Sequence, residues 1–522
     1  MKLCFYANRR NEVPIMLSLA VRNTGKIIRE KSKSENIRLG RLFTKKNTAA
    51  LMADMVSLDP EKSAYTILDP GAGTGILSAA VIEHICKNAK NCKQIFLTCY
   101  ENDPVFVPML EDNLERIRKK CRHDYDVRLF VTVYEENYPI DVKNHYTVTY
   151  FDTVEDKFDI IICNPPEDLV EKNSPEAIGA GGISMLKLSL AFIFAKVAAN
   201  HLEADGQMVI MLPTTFATAD SLRAIRKEMA SLLTIKKIHL FIGKLKNAKR
   251  AVPLRKKLII SYKKTYAKEN ILISTSAENP TADQITKLTP LPYGFVVDEA
   301  DGSLTLPKST EEMNIVNYIN HFPETLASIG LKIHTGLIVD SKCKGIIFDK
   351  EIPGSIPLIR LGAIKGAGVS FPAPNVSGQY LMPVSTAIFQ KNKNLLLIKR
   401  VPAKSDDRFL KCALYFAAQR ASNQYISTHN KLNYIDTADP KDELSARLAF
   451  GLFALLNSTI YDRYISIISK SKQINSKEMR ELRLPPKHLI ENMGMRLMAG
   501  KDTSVAACDA IVNPTLHITA KK

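Results

Sequence analysis

Two short stretches hold residue types at spacings that can do chemistry. In the first, Asp69-Pro70-Gly71-Ala72-Gly73-Thr74-Gly75, glycines alternate between an apolar run that ends at Asp69 and another that opens at Ile76. A strand that enters a helix through such a turn leaves backbone N–H groups free at the helix start, and its bare main chain lets a nucleotide-like ligand approach closely. The turn lacks the Lys and Ser/Thr that close a triphosphate-cradling loop, because Gly75 is followed by Ile76 and Leu77. Its glycine spacing also departs from the dinucleotide fingerprint, which sets a third glycine three residues beyond the second. The second stretch runs from Ile160-Ile161-Ile162-Cys163 into Asn164-Pro165-Pro166. The prolines fix the backbone behind Asn164 and remove N–H donors, so a rigid corner presents an amide side chain and a carbonyl. The Asn164 side-chain oxygen and the Pro165 carbonyl can each accept one hydrogen of a planar amine. That draws the nitrogen lone pair out of conjugation and aims it at an electrophile.

Both stretches need strands that end side by side. Ile67 to Asp69 reads as one buried strand and Phe158 to Cys163 as another, and Ile95 to Tyr100 is a third that ends in Glu101-Asn102-Asp103-Pro104. An acid at the tip of a second strand is where a ribose diol is held. Between them lie an amphipathic helical stretch, Val107 to Lys120, and a strand-like run, Asp126 to Tyr134. Beyond the prolines come a long helical stretch, Met185 to His201, and a strand into Met211-Leu212-Pro213. Strands alternating with helices predict an α/β fold with a parallel sheet.

The glycine turn resembles motif I of S-adenosylmethionine-dependent methyltransferases, in which the early acid, here Asp69, handles the amino-acid end of the cofactor. Leu39 to Thr44 is similar to motif X of DNA amino-methyltransferases, where an aromatic and a Thr, here Phe43 and Thr44, close over its methionine end. With Asn-Pro-Pro following in that order, the chain resembles gamma-class adenine-N6 DNA methyltransferases. The resemblance implies a Rossmann-like catalytic domain using S-adenosyl-L-methionine. Phe43, Thr44, Asp69, Gly71, Gly73, Gly75, Glu101, Asp152 and Asn164 would line the cofactor site, Asp152 at its adenine. Asn164, Pro165, Pro166 and Glu167 would form the catalytic corner. The family places Tyr or Phe after Asn-Pro-Pro to stack on an adenine flipped out of the duplex, and this chain has Glu167. Stacking on an aromatic is worth about 1–3 kcal/mol, roughly 5- to 150-fold in binding. Phe241 and Tyr262 are the candidates for the second aromatic that sandwiches the base.

The 522 residues exceed what one core serves, and the formal charge of +18 points to a polyanionic partner, nucleic acid. Basic residues crowd the stretch from Lys236 to Lys264, where Lys249 and Arg250 are expected to meet phosphates. Nine cysteines lie singly, with no pair or cluster at metal-ligand spacing, so neither a metal site nor a disulfide framework is expected. No apolar run is long enough to span a membrane. Residues 1–275 read as the catalytic domain and the Pro-, Ser- and Thr-containing 276–294 as a linker. Residues 295–522 read as a mixed α+β target-recognition domain.

Segments of that second half, among them Leu331 to Asp340, Leu396 to Arg400, Asn430 to Tyr434 and Leu482 to Pro485, resemble the modification enzymes of the BsuBI and PstI restriction systems. Lys399 and Arg400, with Lys404 and Arg408 nearby, are expected at DNA. The resemblance implies double-stranded DNA as substrate, a cognate restriction endonuclease as a possible partner, and a bacterial cytoplasmic, nucleoid-associated location. Two functions stay open on these residues: adenine-N6 methylation, and sequence-specific DNA binding on a catalytically impaired methyltransferase fold, which Glu167 favours.

Overall fold

The computed structural model describes residues 15–29, 44–141, 157–181, 186–244, 251–401, 408–469 and 473–518. Phe43, Asp152, Lys249 and Arg250 lie outside them. The chain divides into two compact units, residues 1–308 and 309–522.

In the first unit, apolar runs become β1 (Ala64–Pro70), β2 (Gln94–Tyr100), β3 (Arg128–Tyr134) and β4 (Phe158–Cys163). Longer strands follow: β5 (Leu202–Pro213), β6 (Thr234–Lys244) and β7 (Ala251–Lys263), with β8 (Leu272–Ser276) and β9 (Thr286–Lys287) at the edge. They form one sheet in the order β9-β8-β6-β7-β5-β4-β1-β2-β3. Strands β1 to β5 pair in parallel, and β7 runs antiparallel to both its neighbours. The expected Rossmann-like α/β fold is present.

Helix α1 (Ile15–Arg29), α2 (Lys46–Asp54) and α3 (Ile76–Asn88) share one core with the first strands, through Met16, Leu17, Met52, Ile67, Ile82 and Ile95. Helix α3 is apolar nearly all round because it is covered on both sides, by the sheet and by α1 and α2. Helix α4 (Val107–Tyr125) joins the same core through Leu110, Leu114 and Ile117. The chain leaves β1 toward β2 and β3, then crosses to β4 on the other side of β1. In an open α/β sheet the ligand crevice lies where strand order reverses, beyond the carboxyl ends of the strands. The reversal falls between the strands that carry the glycine turn and the Asn-Pro-Pro corner.

The stretch 276–294 differs from the linker expected of it. Thr286–Lys287 adds β9 to the sheet edge, and Tyr293 and Val296 are buried in a helical turn. Buried Arg226 of α5 (Arg223–Leu232) donates to the Asp301 carbonyl, and Leu304 N–H donates to that of Ala217. The prolines and serines there mark turns along a sheet edge, and the division between units comes later, at 308/309.

The second unit has an antiparallel sheet in the order β10 (Leu331–Thr335), β13 (Leu432–Thr437), β11 (Leu395–Lys399), β12 (Cys412–Tyr415). Helix α6 (Ala446–Asn457) crosses α7 (Lys487–Gly500) at glycines. A Cβ on Gly451 would sit 1.9 Å from the Ile490 carbonyl oxygen, and one on Gly494 1.9 Å from that of Arg447.

Candidate active site

Asp69 and Asn164 stand at the carboxyl ends of neighbouring strands, which pair Ile67 with Ile160 and Leu68 with Ile161. The Cys163 thiol donates to the Pro70 carbonyl at 3.0 Å, tying the residue before Asn164 to the residue after Asp69. The corner and the glycine turn therefore border one crevice.

Gly71, Gly73 and Gly75 have φ of 87°, 57° and 79°, conformations that cost an L side chain strain. The N–H groups of Gly71 and Ala72 donate to the Tyr100 carbonyl at 2.8 and 2.9 Å. That of Gly73 donates to Glu101 Oε2 at 2.7 Å, and Glu101 Oε1 accepts the N–H of Asp103 at 2.9 Å. Burial pushes the Glu101 carboxyl up while these amides pull it back. The acid at the second strand tip is thus seated against the turn.

Asp69 is fully buried. Its Oδ2 accepts the Ser78 hydroxyl at 2.6 Å, and its Oδ1 has no hydrogen-bond partner. Burial drives its pKa up to about 7, against the Ser78 hydrogen bonds, and the nearby Glu101 charge adds to the rise. Asn164 Nδ2 donates to Thr44 Oγ1 at 3.0 Å, while its Oδ1 is buried without a partner. The Thr44 bond sets the amide nitrogen on one side and leaves the oxygen as an unused acceptor. An unsatisfied buried acceptor costs about 1–3 kcal/mol, which a ligand N–H would recover. Pro165 is buried and Pro166 half-buried behind it. Glu167 is exposed, its carbonyl accepting the Ser189 hydroxyl at 3.0 Å and its carboxylate paired with the Lys257 ammonium.

Two expectations need correction. Phe241 and Tyr262 are 1% and 3% exposed, so neither can stack on a base. They lie among the apolar residues that fill β6 and β7, where an aromatic is core. Arg408 donates to the carbonyls of Asn457 and Ser458 at 2.7 and 3.1 Å, satisfying the end of α6. Lys399 and Arg400 are half-buried at the end of β11, and Arg400 Nη1 donates to the Asn430 carbonyl at 3.3 Å.

Sequence reasoning passed over the residues that brace the turn from behind. Thr24 Oγ1 of α1 donates to Thr74 Oγ1 at 2.8 Å, and Asn113 Nδ2 of α4 donates to the Thr74 carbonyl at 2.9 Å. Asn113 is detectable as a polar residue on the apolar face formed by Leu110, Leu114 and Ile117; Thr24 carries no such signal. Among the described residues no group of three or more His, Cys, Asp or Glu could hold a metal. None of their helices is long and apolar enough to cross a membrane.

Residues 83–246 match the Eco57I restriction-modification methylase family. The chain is 24% identical over 522 residues to the Type II methyltransferase M.PstI of Providencia stuartii, covering 97% of this chain and 99% of that one. It carries an Eco57I-like restriction-modification methylase domain. The chain is also similar, over 89% of its length and 90% of its relative, to the Type II methyltransferase M.BsuBI of Bacillus subtilis, at 23% identity. Among solved structures, the Type IIL restriction-modification enzyme MmeI in complex with DNA aligns with 97% of this chain and 74% of that one, at 11% identity and a TM-score of 0.46. A methylase domain of this kind takes its methyl group from S-adenosylmethionine. The residues present fit that group: a glycine turn open to close approach, a carboxylate at the second strand tip, and unpartnered oxygens on Asp69 and Asn164.

Proposed function

We propose that the protein is a site-specific DNA methyltransferase acting on the N6 amine of an adenine flipped out of the duplex. The observation that carries this reading is Asn164: its Oδ1 is a buried acceptor without a donor, beside the glycine turn, with the amide pinned by Thr44. S-adenosylmethionine, when bound, supplies an electrophilic methyl. Glu101 would hold its ribose hydroxyls and the glycine turn would give its amino-acid part room, with Asp69 at that end. Asn164 Oδ1 and the Pro165 carbonyl accept the two amine hydrogens and turn the nitrogen lone pair toward the methyl. The proton becomes acidic only once nitrogen is methylated, so no base is needed beforehand; it leaves to solvent.

Duplex DNA is the partner, in keeping with the +18 charge. Lys249, Arg250, Lys399 and Arg400 are the assigned DNA contacts, and a cognate restriction endonuclease is the partner enzyme this reading anticipates. A second reading, DNA binding without turnover, is favoured by Glu167 in the place of a stacking aromatic. Incubation with labelled S-adenosylmethionine and mixed-sequence duplex DNA, followed by nucleoside separation, decides between them. Label in N6-methyladenine is the result expected, and salt-sensitive DNA binding with no labelled nucleoside supports the second reading.

A further inference from the structure

Glu167 is fixed from both sides. Pro166 locks the backbone before it, and the Ser189 hydroxyl holds its carbonyl at 3.0 Å. The Leu190 N–H holds the next carbonyl, that of Asp168, at 2.8 Å. The side chain therefore starts from a set place beside the Asn164 corner, and its carboxylate pairs with Lys257.

Lys257 belongs to the same end of the sheet. Cys163 of β4 lies opposite Ile210 of β5, and Ile210 opposite Ile260 of β7. Following β5 toward its carboxyl end reaches Pro213, which faces Lys257. The Lys257 side chain is 23% exposed and that of Glu167 43%, so the lysine is the more covered member. A carboxylate alone beside a flat aromatic base offers no apolar surface and repels the π cloud. A lysine held by that carboxylate offers the opposite. Its methylene stem is apolar surface and its ammonium is attracted to a ring face.

We infer that the Glu167–Lys257 pair is a specificity-determining element, in which Lys257, steered by Glu167, supplies the surface for the ring of the target base. The inference rests on the methylation reading above. Glu167 is then a working part of a modified site, and Lys257 is the residue that contacts substrate. An ion pair open to solvent on its carboxylate side contributes little to stability, so breaking this one shows in DNA kinetics and leaves the fold intact.

The test is a set of full-length variants assayed for methyl transfer to duplex DNA, with melting temperature and the KM for S-adenosylmethionine measured alongside. Lys257→Ala lowers kcat/KM for DNA roughly 2- to 30-fold, the span of a cation–π contact, with the other two readouts unchanged. Lys257→Met, which keeps the stem, loses less. Adding Glu167→Tyr to Lys257→Ala restores activity, because an aromatic then provides the surface that the lysine gave. A plain structural ion pair would show no such rescue. The inference is overturned if Lys257→Ala leaves kcat/KM within twofold of wild type, or if Glu167→Tyr does not rescue it. An inactive wild type made active by Glu167→Tyr alone overturns it too, while the methylation reading stands. Inactivity of both proteins takes down that reading and this inference with it.

Discussion

Asn164 and Thr44, 120 residues apart in the chain, meet through a hydrogen bond of 3.0 Å from the asparagine amide to the threonine hydroxyl. The segment entering α2 thereby orients the side chain at the end of β4. Replacing Thr44 by Val removes the acceptor and lets the Asn164 amide turn over. The kcat for methyl transfer should fall about tenfold, the worth of one hydrogen bond, and Thr44→Ser should retain it. Equal rates for wild type and Thr44→Val would remove Thr44 from the orienting role.

Asn164 itself is the sharper test of the corner. Asn164→Ala deletes the acceptor aimed at the amine and should lower kcat by roughly 10²- to 10³-fold, as loss of one preorganised polar group does elsewhere. Calorimetry should find S-adenosylmethionine affinity within a few-fold of wild type, since the turn and Glu101 are untouched. A parallel loss of cofactor binding would mean that the corner shapes the cofactor site instead.

Asp69 gives the protein a pH dependence of definite sign. Its carboxyl titrates at about 7 when folded and at 3.8 as an ordinary aspartate. The folded state therefore keeps a proton that the unfolded chain has released. Stability is fully present below pH 4, is lost as pH rises through 4 to 7, and is level above, a change on the order of 4 kcal/mol. In Asp69→Asn, without cofactor, this slope should vanish from chemical denaturation curves taken between pH 5 and 8. A variant with the wild-type slope would show that Asp69 is already ionised when folded.

Gly75 opens α3 at a φ of 79°, and a Cβ there would stand 2.8 Å from Leu110 Cδ1. Gly75→Ala should cost about 1–3 kcal/mol of strain, a drop of several degrees in melting temperature, and weaken S-adenosylmethionine binding as the turn shifts. An unchanged melting temperature would contradict the strained geometry.

What the sequence made legible was local. The glycine turn, the Asn-Pro-Pro corner and the acid at Glu101 each declare themselves in a few consecutive residues, because strand ends and turns have their own residue requirements. Their meeting was readable from the order of the strands, since parallel connections place successive carboxyl ends along one edge. Contacts that depend on distant residues were not readable. Lys257 was one lysine in a basic run until β7 turned out to lie antiparallel beside β5 and bring it to Glu167. Phe241 and Tyr262 have the right chemistry for base stacking, yet burial depends on which face of each strand the sheet covers. Arg408 shows the same limit, for its charge says nothing of the helix end whose carbonyls it satisfies.

The central claim is that Asn164 presents an adenine amine to a methyl bound at the neighbouring glycine turn. Nucleoside mass spectrometry of DNA from a bacterial host, otherwise free of adenine methylation, tests it most directly when wild type and Asn164→Ala are expressed in parallel. The account predicts abundant N6-methyladenine in the first and only a small residue of it in the second. Methylated cytosine in place of adenine, or adenine methylation undiminished by Asn164→Ala, would contradict it.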